Sequence, residues 1–420
     1  MQYKMQAIIG IIFFLSLSFL LSSDKRNIQI RYIISGLIFQ FIMAVLVLKV
    51  KVIQHIFSSL NQAIIALQQA TEQGTSFVFG YLGGGPTPFD VPAELAAHKF
   101  ILVFQALPLM IVASALSSLL FYWKVIPVII KSISKVLEYS LGIGGALGLG
   151  SASSVFFGMD VTPLLIKPHL KHMTRSELFS LITCGMATVA SAVMIVYVHI
   201  LKPLFPDPGY ILGHIISASL INVPSALIIS RIMIPQLGHN TGGHLTTGEK
   251  ASGFMDAITK GVNDGVGILV NITAMLLVLT SLVYLANQVL GAALPEFNNT
   301  KITLQGFFGY LFSPFMWFMG IPWNEVNLAG SLMGTKLVLN EIFAYKEFTV
   351  SASQLSEHSK LIMLYGLCGF ANFGSVGITI GALGTLIPER HTEVVSLGLK
   401  SLISGTIATC LTATIIGLLT

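Results

Sequence analysis

Long apolar runs, separated by short polar or charged segments, recur from one end of the chain to the other. A helix needs about 20 apolar residues to cross the hydrocarbon core of a bilayer. The pattern predicts about eight spans of that length, over residues 7–21, 32–48, 100–123, 177–201, 210–234, 262–290, 360–387 and 393–419. No polar segment is long enough to form a separate soluble domain. The pattern therefore predicts an all-α integral membrane protein with one membrane domain.

Two further apolar segments, residues 141–170 and 321–348, do not fit as simple spans. When the loops rich in Lys and Arg are placed in the cytoplasm, both ends of the first segment lie there and both ends of the second lie outside. A backbone can turn around at membrane depth only where protein or a water-filled cavity covers it. Each segment is therefore predicted to form a re-entrant helical hairpin, an inner one over 141–170 and an outer one over 321–348.

The predicted elements run twice through the same order of span, re-entrant hairpin, span and span. Because each unit holds an odd number of spans, the second unit is inverted relative to the first, as in many secondary transporters. We predict scaffold helices over residues 1–98, a first transport-core repeat over 99–235 and a second, inverted repeat over 236–420. Within the scaffold, residues 52–70 are amphipathic and predict a helix at the membrane interface. Both termini are then external, on the periplasmic side of a plasma (inner) membrane.

The composition agrees with a membrane protein and excludes several partners. Charged residues make up 10% of the chain, against about 25% in soluble domains, and the mean hydropathy is +0.82. The three cysteines all lie within apolar runs and predict no disulfide framework. The net charge of +5 is small, and no basic cluster is interleaved with aromatic residues. Nucleic acid is therefore not an expected partner, whereas the lipid bilayer is.

The sequence gives little support to an enzyme. It contains neither a His-Glu-x-x-His zinc motif nor a Gly-x-Ser-x-Gly nucleophile elbow, and no phosphate-binding loop. We therefore predict no enzymatic activity and no bound cofactor. Two hairpins that enter from opposite faces suit alternating occlusion better than a permanent pore. A transporter is the favoured function, with a channel or a membrane enzyme as the remote alternatives.

The most informative polar position is Glu341, which follows Asn340 inside an apolar stretch. A charged side chain at bilayer depth costs about 3 kcal/mol or more, so it normally faces protein or a water-filled path. Residues 368–375, Cys-Gly-Phe-Ala-Asn-Phe-Gly-Ser, are again polar and broken by glycine, as in discontinuous transporter helices. A carboxylate and an amide can accept from and donate to the hydroxyls of a vicinal diol. Packing of Glu341 against Lys336 or Asn340, and helix capping by the later polar residues, are the structural alternatives.

Four motifs in this order resemble the concentrative nucleoside transporters, a family that includes bacterial sodium- and proton-coupled nucleoside permeases. They are Thr-Arg-Ser-Glu-Leu-Phe at 174–179, Gly-Ile-Pro-Trp-Asn-Glu at 320–325, Gly-Thr-Lys-Leu-Val-Leu-Asn-Glu-Ile-Phe-Ala-Tyr at 334–345 and Leu-Cys-Gly-Phe-Ala-Asn at 367–372. The resemblance extends from about residue 100 to the end of the chain. It implies a symporter that imports nucleosides with an inward cation gradient, assembled as a homotrimer.

The resemblance also implies where a nucleoside binds. The glutamate of the second hairpin and the asparagine and serine of the broken seventh span would hold the ribose hydroxyls, and a phenylalanine would pack on the nucleoside. By motif, these are Glu341, Asn372, Ser375 and Phe370. Asn340 beside the glutamate and Val193 in the fourth span are also expected to bind the substrate.

The first hairpin departs from the family. The family usually has Gly-Gln-Thr-Glu-Ala-Pro, whose Gln and Glu contact the nucleobase, whereas this chain has Gly158, Met159, Asp160, Val161, Thr162 and Pro163. Because Met159 and Val161 offer no hydrogen bonds, we expect relaxed base recognition at a site that still includes Gly158. A modified nucleoside or another sugar-like solute is the alternative substrate.

The implied coupling-ion site is altered as well. Its residues in this chain are Ser154, Phe157, Asp160, Thr188 and Val189. These groups could hold Na⁺, since a hard cation accepts oxygen ligands, or Asp160 could bind and release a proton in each cycle. The loss of the family's asparagine at 154 and the gain of a titratable group at 160 favour H⁺, with Na⁺ as the alternative.

Overall fold

The structure is a computed structural model, and it describes residues 2–90, 101–159, 162–205, 207–243, 251–293 and 303–420. Regular structure in these residues is helical. The N-terminal region contains α1 (Gln2–Leu20), α2 (Ile30–Lys49), α3 (Lys51–Phe79) and a 3₁₀ turn over Gly80–Gly83.

The middle of the chain contains α4 (Leu102–Gln105), α5 (Leu109–Tyr122), α6 (Val125–Leu141), α7 (Gly145–Ser153), α8 (Thr162–Leu165), α9 (Lys167–Leu170), α10 (Arg175–Ala187), α11 (Ser191–Leu201) and α12 (Pro208–Met233). The last part contains α13 (Phe254–Ala293), α14 (Leu304–Phe318), α15 (Val326–Val338), α16 (Glu341–Ser351), α17 (Glu357–Leu367), α18 (Phe373–Leu386) and α19 (His391–Leu419), with 3₁₀ turns over Ala352–Gln354 and Pro388–Arg390.

The predicted spans are present as helices. Within the described residues, seven helical stretches are long and apolar enough to cross a membrane. The remaining predicted span, over 360–387, is divided into α17 and α18, neither of which is long enough to cross a bilayer alone. Residues 368–372 separate the two, so the predicted glycine-broken helix is confirmed.

Two helices were not predicted, and several others extend beyond their predicted ends. The segment that begins at Val125 was expected to be a basic loop, yet α6 buries one side that includes Ile126, Ile130 and Leu137. These positions recur at helical spacing, and the lysines lie between them on the exposed side. Helix α14 precedes the second hairpin and packs along α15. The predicted interfacial helix over 52–70 continues as α3 to Phe79.

Burial separates a central group of helices from a peripheral group. In α12, in α19 and in the stretch formed by α10 and α11, 83% of the residues in the apolar window are buried, whereas the figure is 12% for α13 and 28% for α1. A helix that is apolar but exposed within the protein needs lipid or another subunit around it. The central group therefore forms the protein-lined interior in which a polar site can be buried.

Both re-entrant segments form short consecutive helices. The first comprises α7, a turn after Ser153, and α8 with α9, while the second comprises α15 and α16. The order α5, first hairpin, α10 with α11 and α12 recurs as α13, second hairpin, α17 with α18 and α19. The order matches the predicted units, while the inversion of one unit relative to the other and the three domain boundaries stay predictions.

Candidate functional site

The break in the second hairpin places a carboxylate at the start of a helix. Helix α15 ends at Val338 and α16 begins at Glu341. Asn340 is the N-cap residue, and its Oδ1 accepts a hydrogen bond from the Phe343 backbone N–H at 3.1 Å. The first turn of a helix favours a negative charge because its N–H groups are unpaired and its dipole is positive there. The start of α16 therefore places Glu341 where a negative charge is favoured, although the side chain is only 1% exposed.

Three separate elements meet at this carboxylate. The Tyr197 hydroxyl on α11 donates a hydrogen bond to Glu341 Oε1 at 2.8 Å. The Nδ2 of Asn372, at the start of α18, donates to Glu341 Oε2 at 3.0 Å. Each carboxylate oxygen can accept two hydrogen bonds, so each has one acceptor position beyond these contacts. Two neighbouring oxygens that can each accept one more hydrogen bond fit the two hydroxyls of a vicinal diol.

Asn372 caps a helix and contacts the carboxylate at the same time. Its Oδ1 accepts hydrogen bonds from the Ser375 backbone N–H at 2.8 Å and from the Ser375 Oγ at 3.0 Å. These bonds fix the side-chain rotamer, so Nδ2 points at Glu341. Asn372 and Ser375 are both buried, and Phe370 is half-buried within the break. The structure thus joins Glu341 of the second hairpin to Asn372 and Ser375, and Phe370 lies in the same break as Asn372. Capping accompanies rather than replaces the polar cluster.

Lys336 is a buried cation that the sequence analysis considered only as a packing partner. Its Nζ donates to the Gly366 carbonyl at 2.9 Å and lies 3.4 Å from the Thr409 hydroxyl. The lysine therefore joins the second hairpin to the last turn of α17.

An asparagine on α12 connects the two broken helices. The Nδ2 of Asn222 donates to the Ala187 carbonyl at 2.7 Å and to the Cys368 carbonyl at 2.9 Å. Ala187 ends α10 and Cys368 follows the end of α17, so both carbonyls lie where a helix leaves its last acceptors unpaired. Asn222 is fully buried. One side chain thus sets the position of one break relative to the other.

The first hairpin is joined to the break between α10 and α11. The Ser191 N–H and Oγ both donate to the Phe156 carbonyl, at 3.0 and 2.9 Å. Among the predicted coupling-ion residues, Ser154 Oγ donates to the Ser151 carbonyl and Thr188 Oγ1 to the Cys184 carbonyl, each at 2.8 Å. A hydroxyl that donates its proton keeps lone pairs for another partner.

The other predicted residues of this region differ in their surroundings. Val189 is buried and its N–H donates to Ser219 Oγ at 3.1 Å. Met159 is 2% exposed and packs on Gly185 of α10, where a Cβ would lie 2.1 Å from its Sδ. Phe157 and Gly158 instead line a cavity of about 170 Å³. Contact between Met159 and a nucleobase stays a prediction.

The three remaining predicted positions are Val193, Asp160 and Val161. Val193 is buried near the start of α11, four residues before Tyr197. Asp160 and Val161 lie outside the described residues. In the part of the chain that the structure describes, His, Cys, Asp and Glu form no cluster of three that could hold a metal ion.

Glu177 holds the base of the first hairpin. It forms a capping box with Thr174, and its two oxygens accept from the Thr241 N–H at 2.8 Å and the Thr241 hydroxyl at 2.7 Å. The Thr241 carbonyl in turn accepts from the Ala146 N–H at 3.2 Å. The carboxylate therefore fastens the segment after α12 to the start of α7.

Sequence reasoning missed Tyr197, Asn222 and the fixed position of Lys336. Each is a polar group within an apolar run, and a polar group at bilayer depth is a functional candidate in its own right. Asn222 is the amide in the predicted span 210–234, so that signal was available. Its two acceptors were not predictable, because they lie 35 and 146 residues away.

Three family models match the chain. A model described as the Na⁺ dependent nucleoside transporter C-terminus matches residues 214–417. The corresponding N-terminus model matches residues 9–82. A model described as nucleoside recognition matches residues 103–204, which include the first hairpin and α11.

Relatives and solved structures extend over almost the whole chain. The chain is 33% identical over 415 residues to the uncharacterized transporter YutK of Bacillus subtilis, covering 98% of both proteins. It is 30% identical over 418 residues to the nucleoside permease NupC of Helicobacter pylori, covering 98% of this chain and 97% of the relative. The structure of CNTnw in an inward-facing substrate-bound state matches with a TM-score of 0.87 at 30% identity, covering 99% and 98%. A CNTnw double variant in an outward-facing state gives 0.89 at 30% identity, covering 99% and 97%.

Proposed function

Because the chain belongs to the Na⁺-dependent nucleoside transporter family, we propose that it is a symporter that imports nucleosides with an inward cation gradient. The family transports its substrates and is not a family of enzymes. The observation that carries the proposal is the polar cluster of Glu341, Tyr197 and Asn372, buried where the second hairpin meets the two broken helices.

The ribose hydroxyls bind at Glu341 in this proposal. Its Oε1 and Oε2 each accept one hydrogen bond from the protein and have capacity for one more. A diol that occupies both positions makes two charge-assisted hydrogen bonds, which are about twice as strong as neutral ones. Asn372 and Ser375 hold the carboxylate and the entry of α18 in register, and Phe370 packs against the nucleoside.

Uptake of radiolabelled nucleoside into proteoliposomes tests this assignment. Glu341→Gln and Asn372→Ala each remove one buried partner of the sugar, which costs about 1 to 3 kcal/mol, or roughly tenfold to hundredfold in affinity. The matched control is Glu357→Gln, because Glu357 is an exposed carboxylate of α17 that pairs with Lys360. We expect both site variants to lose uptake at normal membrane expression and the control to retain it. Near-normal uptake in either site variant would show that the sugar site lies elsewhere.

Base recognition at the first hairpin is relaxed in this proposal. The side chain at 159 is apolar and packs on Gly185, and an apolar group discriminates poorly between polar isosteres. In a competition panel, purine and pyrimidine nucleosides should therefore both compete for uptake, because this hairpin excludes neither ring size. A modified nucleoside or another sugar-like solute is the alternative substrate, and it would outcompete every ordinary nucleoside in the same panel.

The coupling cation is Na⁺ or H⁺. The family description favours Na⁺, and the hydroxyls of Ser154 and Thr188 together with nearby backbone carbonyls are the oxygen ligands that a hard cation prefers. A proton carried by Asp160 is favoured by the substitutions in the first hairpin. Sodium coupling and proton coupling predict opposite results for the wild-type protein, and each predicts a loss in its own variant.

Uptake measured under separate sodium and proton gradients distinguishes the two ions. Sodium coupling predicts uptake that requires Na⁺, ignores external pH and falls in Ser154→Ala. Proton coupling predicts uptake that persists without Na⁺, rises as external pH falls and loses that pH dependence in Asp160→Asn. Each result contradicts the other mechanism.

Assembly and orientation complete the proposal. We propose a homotrimer in the plasma membrane with both termini on the external side. The mass of the detergent-solubilised complex tests the trimer, and cysteine labelling from either side of the membrane tests the orientation.

A further inference from the structure

The cavity beside the first hairpin has a second wall that the site described so far does not include. Phe157 and Gly158 of the hairpin form one side. Helices α5 and α13 form the other, with Ser114, Ser117 and Asp264 among the lining residues. Asp264 is a carboxylate within the long apolar helix α13, where a charge is costly unless it faces a polar path.

Two glycines explain why Asp264 reaches this cavity. A Cβ on Gly261 would lie 2.6 Å from the Cα of Ala115, and one on Gly265 would lie 2.6 Å from the Cα of Ile111. The two glycines are four residues apart and share one side of α13, so the backbones of α5 and α13 approach closely there. Asp264 precedes Gly265, at the edge of this contact, and the packing therefore fixes its position beside the serines of α5.

The cavity is lined in part by the start of α11, the helix that also contributes Tyr197 to the sugar site. The Ser117 Oγ lies 3.4 Å from the Oγ of Ser191, the first residue of α11. Six residues later on the same helix, Tyr197 contacts Glu341. At 1.5 Å per residue the two positions are about 9 Å apart along the helix axis, which is comparable to the length of a nucleoside. A nucleoside with its ribose at Glu341 is therefore long enough to reach the level of Ser191, where the cavity lies.

We propose that Asp264 recognises the exocyclic amino group of the nucleobase and takes over the base reading that the first hairpin has lost. This inference rests on the proposed nucleoside transport. A carboxylate only accepts hydrogen bonds, and its two oxygens offer about four acceptor positions, so it binds an amino group in addition to any partner it has in the protein. Cytosine and adenine present an amino group where uracil and hypoxanthine present a carbonyl oxygen. The substrate class is therefore nucleosides with an amino-bearing base.

The polar groups around Asp264 fit this role. Ser114 and Ser117 supply hydroxyls, which donate or accept and so tolerate either ring nitrogen or carbonyl atoms. The rings of Phe121 and Phe157 lie 5.8 Å apart in an edge-to-face arrangement at the same cavity. Aromatic walls with a few convergent polar groups are typical of small-molecule sites.

Competition between matched nucleosides tests the inference on the full-length protein. Cytidine, uridine, adenosine and inosine are each titrated against labelled nucleoside, in binding to the detergent-purified protein and in uptake by proteoliposomes. For the wild type we expect cytidine to compete about tenfold or more better than uridine, and adenosine better than inosine by a similar factor, as one charged hydrogen bond predicts. Asp264→Asn and Asp264→Ser should bring both ratios close to one. Asp256→Asn, which removes a partly exposed carboxylate from the same helix outside the cavity, should leave them unchanged.

The outcomes separate this inference from the proposed transport. Equal competition within both pairs for the wild type, or unchanged ratios in Asp264→Asn and Asp264→Ser, would overturn the role of Asp264 while nucleoside uptake persists. A change in the sodium or pH dependence with unchanged ratios would assign the carboxylate to the coupling ion instead. If a variant cannot transport, the binding competition still reports its ratios. Absence of wild-type uptake for all four nucleosides would overturn the transport proposal itself.

Discussion

Replacement of Asn222 tests whether the two helix breaks act as one unit. The Asn222 Nδ2 donates to the carbonyls of Ala187 and Cys368, at 2.7 and 2.9 Å. Asn222→Asp keeps the size and shape of the side chain but removes the Nδ2 donor. An ionised carboxyl group only accepts hydrogen bonds, so the substitution leaves two buried carbonyl groups unpaired and adds a buried charge, without creating a cavity. The cost of the two carbonyls is therefore a minimum.

The expected loss of stability follows from those two carbonyls. Each buried polar group left without a partner costs about 1 to 3 kcal/mol, and the two costs are not independent because the groups share one partner. The total is about 2 to 6 kcal/mol, against a typical folding stability of about 5 to 15 kcal/mol. Each kcal/mol lowers the melting temperature by roughly 2 °C or somewhat more at this chain length. We expect Tm to fall by roughly 4 to 12 °C and uptake to fall at least as strongly as in Asn372→Ala.

Thermal unfolding of the purified protein, followed by tryptophan fluorescence, measures the first effect, and proteoliposome uptake measures the second. Ser225→Ala is the matched control on the same helix, because Ser225 Oγ donates to a single carbonyl, that of Ala408, at 2.8 Å. Ala408 lies in the middle of α19, where its carbonyl also has a helical partner, so the control should cost about 1 kcal/mol or less. If Asn222→Asp is as stable and as active as Ser225→Ala, then Asn222 does not couple the two breaks.

Two more substitutions probe how the hairpins and breaks are held. Gly369→Ala places a Cβ 2.9 Å from the Ala187 carbonyl oxygen and 2.6 Å from Thr409 Cγ2, so uptake should be lost, whereas Gly377→Ala, with no neighbour within 4 Å, should retain it. Equal activity of the two variants would argue against close packing at the break. Glu177→Ala removes three hydrogen bonds at the base of the first hairpin, and the lost capping box alone costs about 1 kcal/mol, so limited proteolysis should cut residues 238–243 faster than in the wild type. An unchanged digestion rate would show that other contacts hold that segment.

Much of the site was predictable because a few polar positions are costly where they stand. Glu341 and Asn372 were identified from their position in apolar runs and from their motifs, and the structure joins them by one hydrogen bond. Tyr197 was not identified, because a tyrosine is common in apolar helices and its partner is 144 residues away. The residue type and the separation in sequence together made this contact unpredictable.

The first hairpin was less predictable for a different reason. Its motif indicated that Met159 replaces a polar residue, but not which way the side chain points. The structure packs it on Gly185, because the absence of a side chain on that glycine leaves space in α10 for the thioether. The direction of the Met159 side chain is set by the neighbouring helix α10 and cannot be predicted from the hairpin sequence alone.

By itself, the sequence determined the membrane class, the order of the spans and the positions of the two hairpins, because apolar length and basic loops act locally along the chain. Glycine and polar residues likewise determined where the seventh span breaks. Only the tertiary structure decided that Asn222 connects both breaks, that α6 buries one side on the first hairpin, and that Gly261 and Gly265 bring Asp264 to the cavity. These features depend on which helices approach each other, and that approach is set by the packing of residues far apart in sequence.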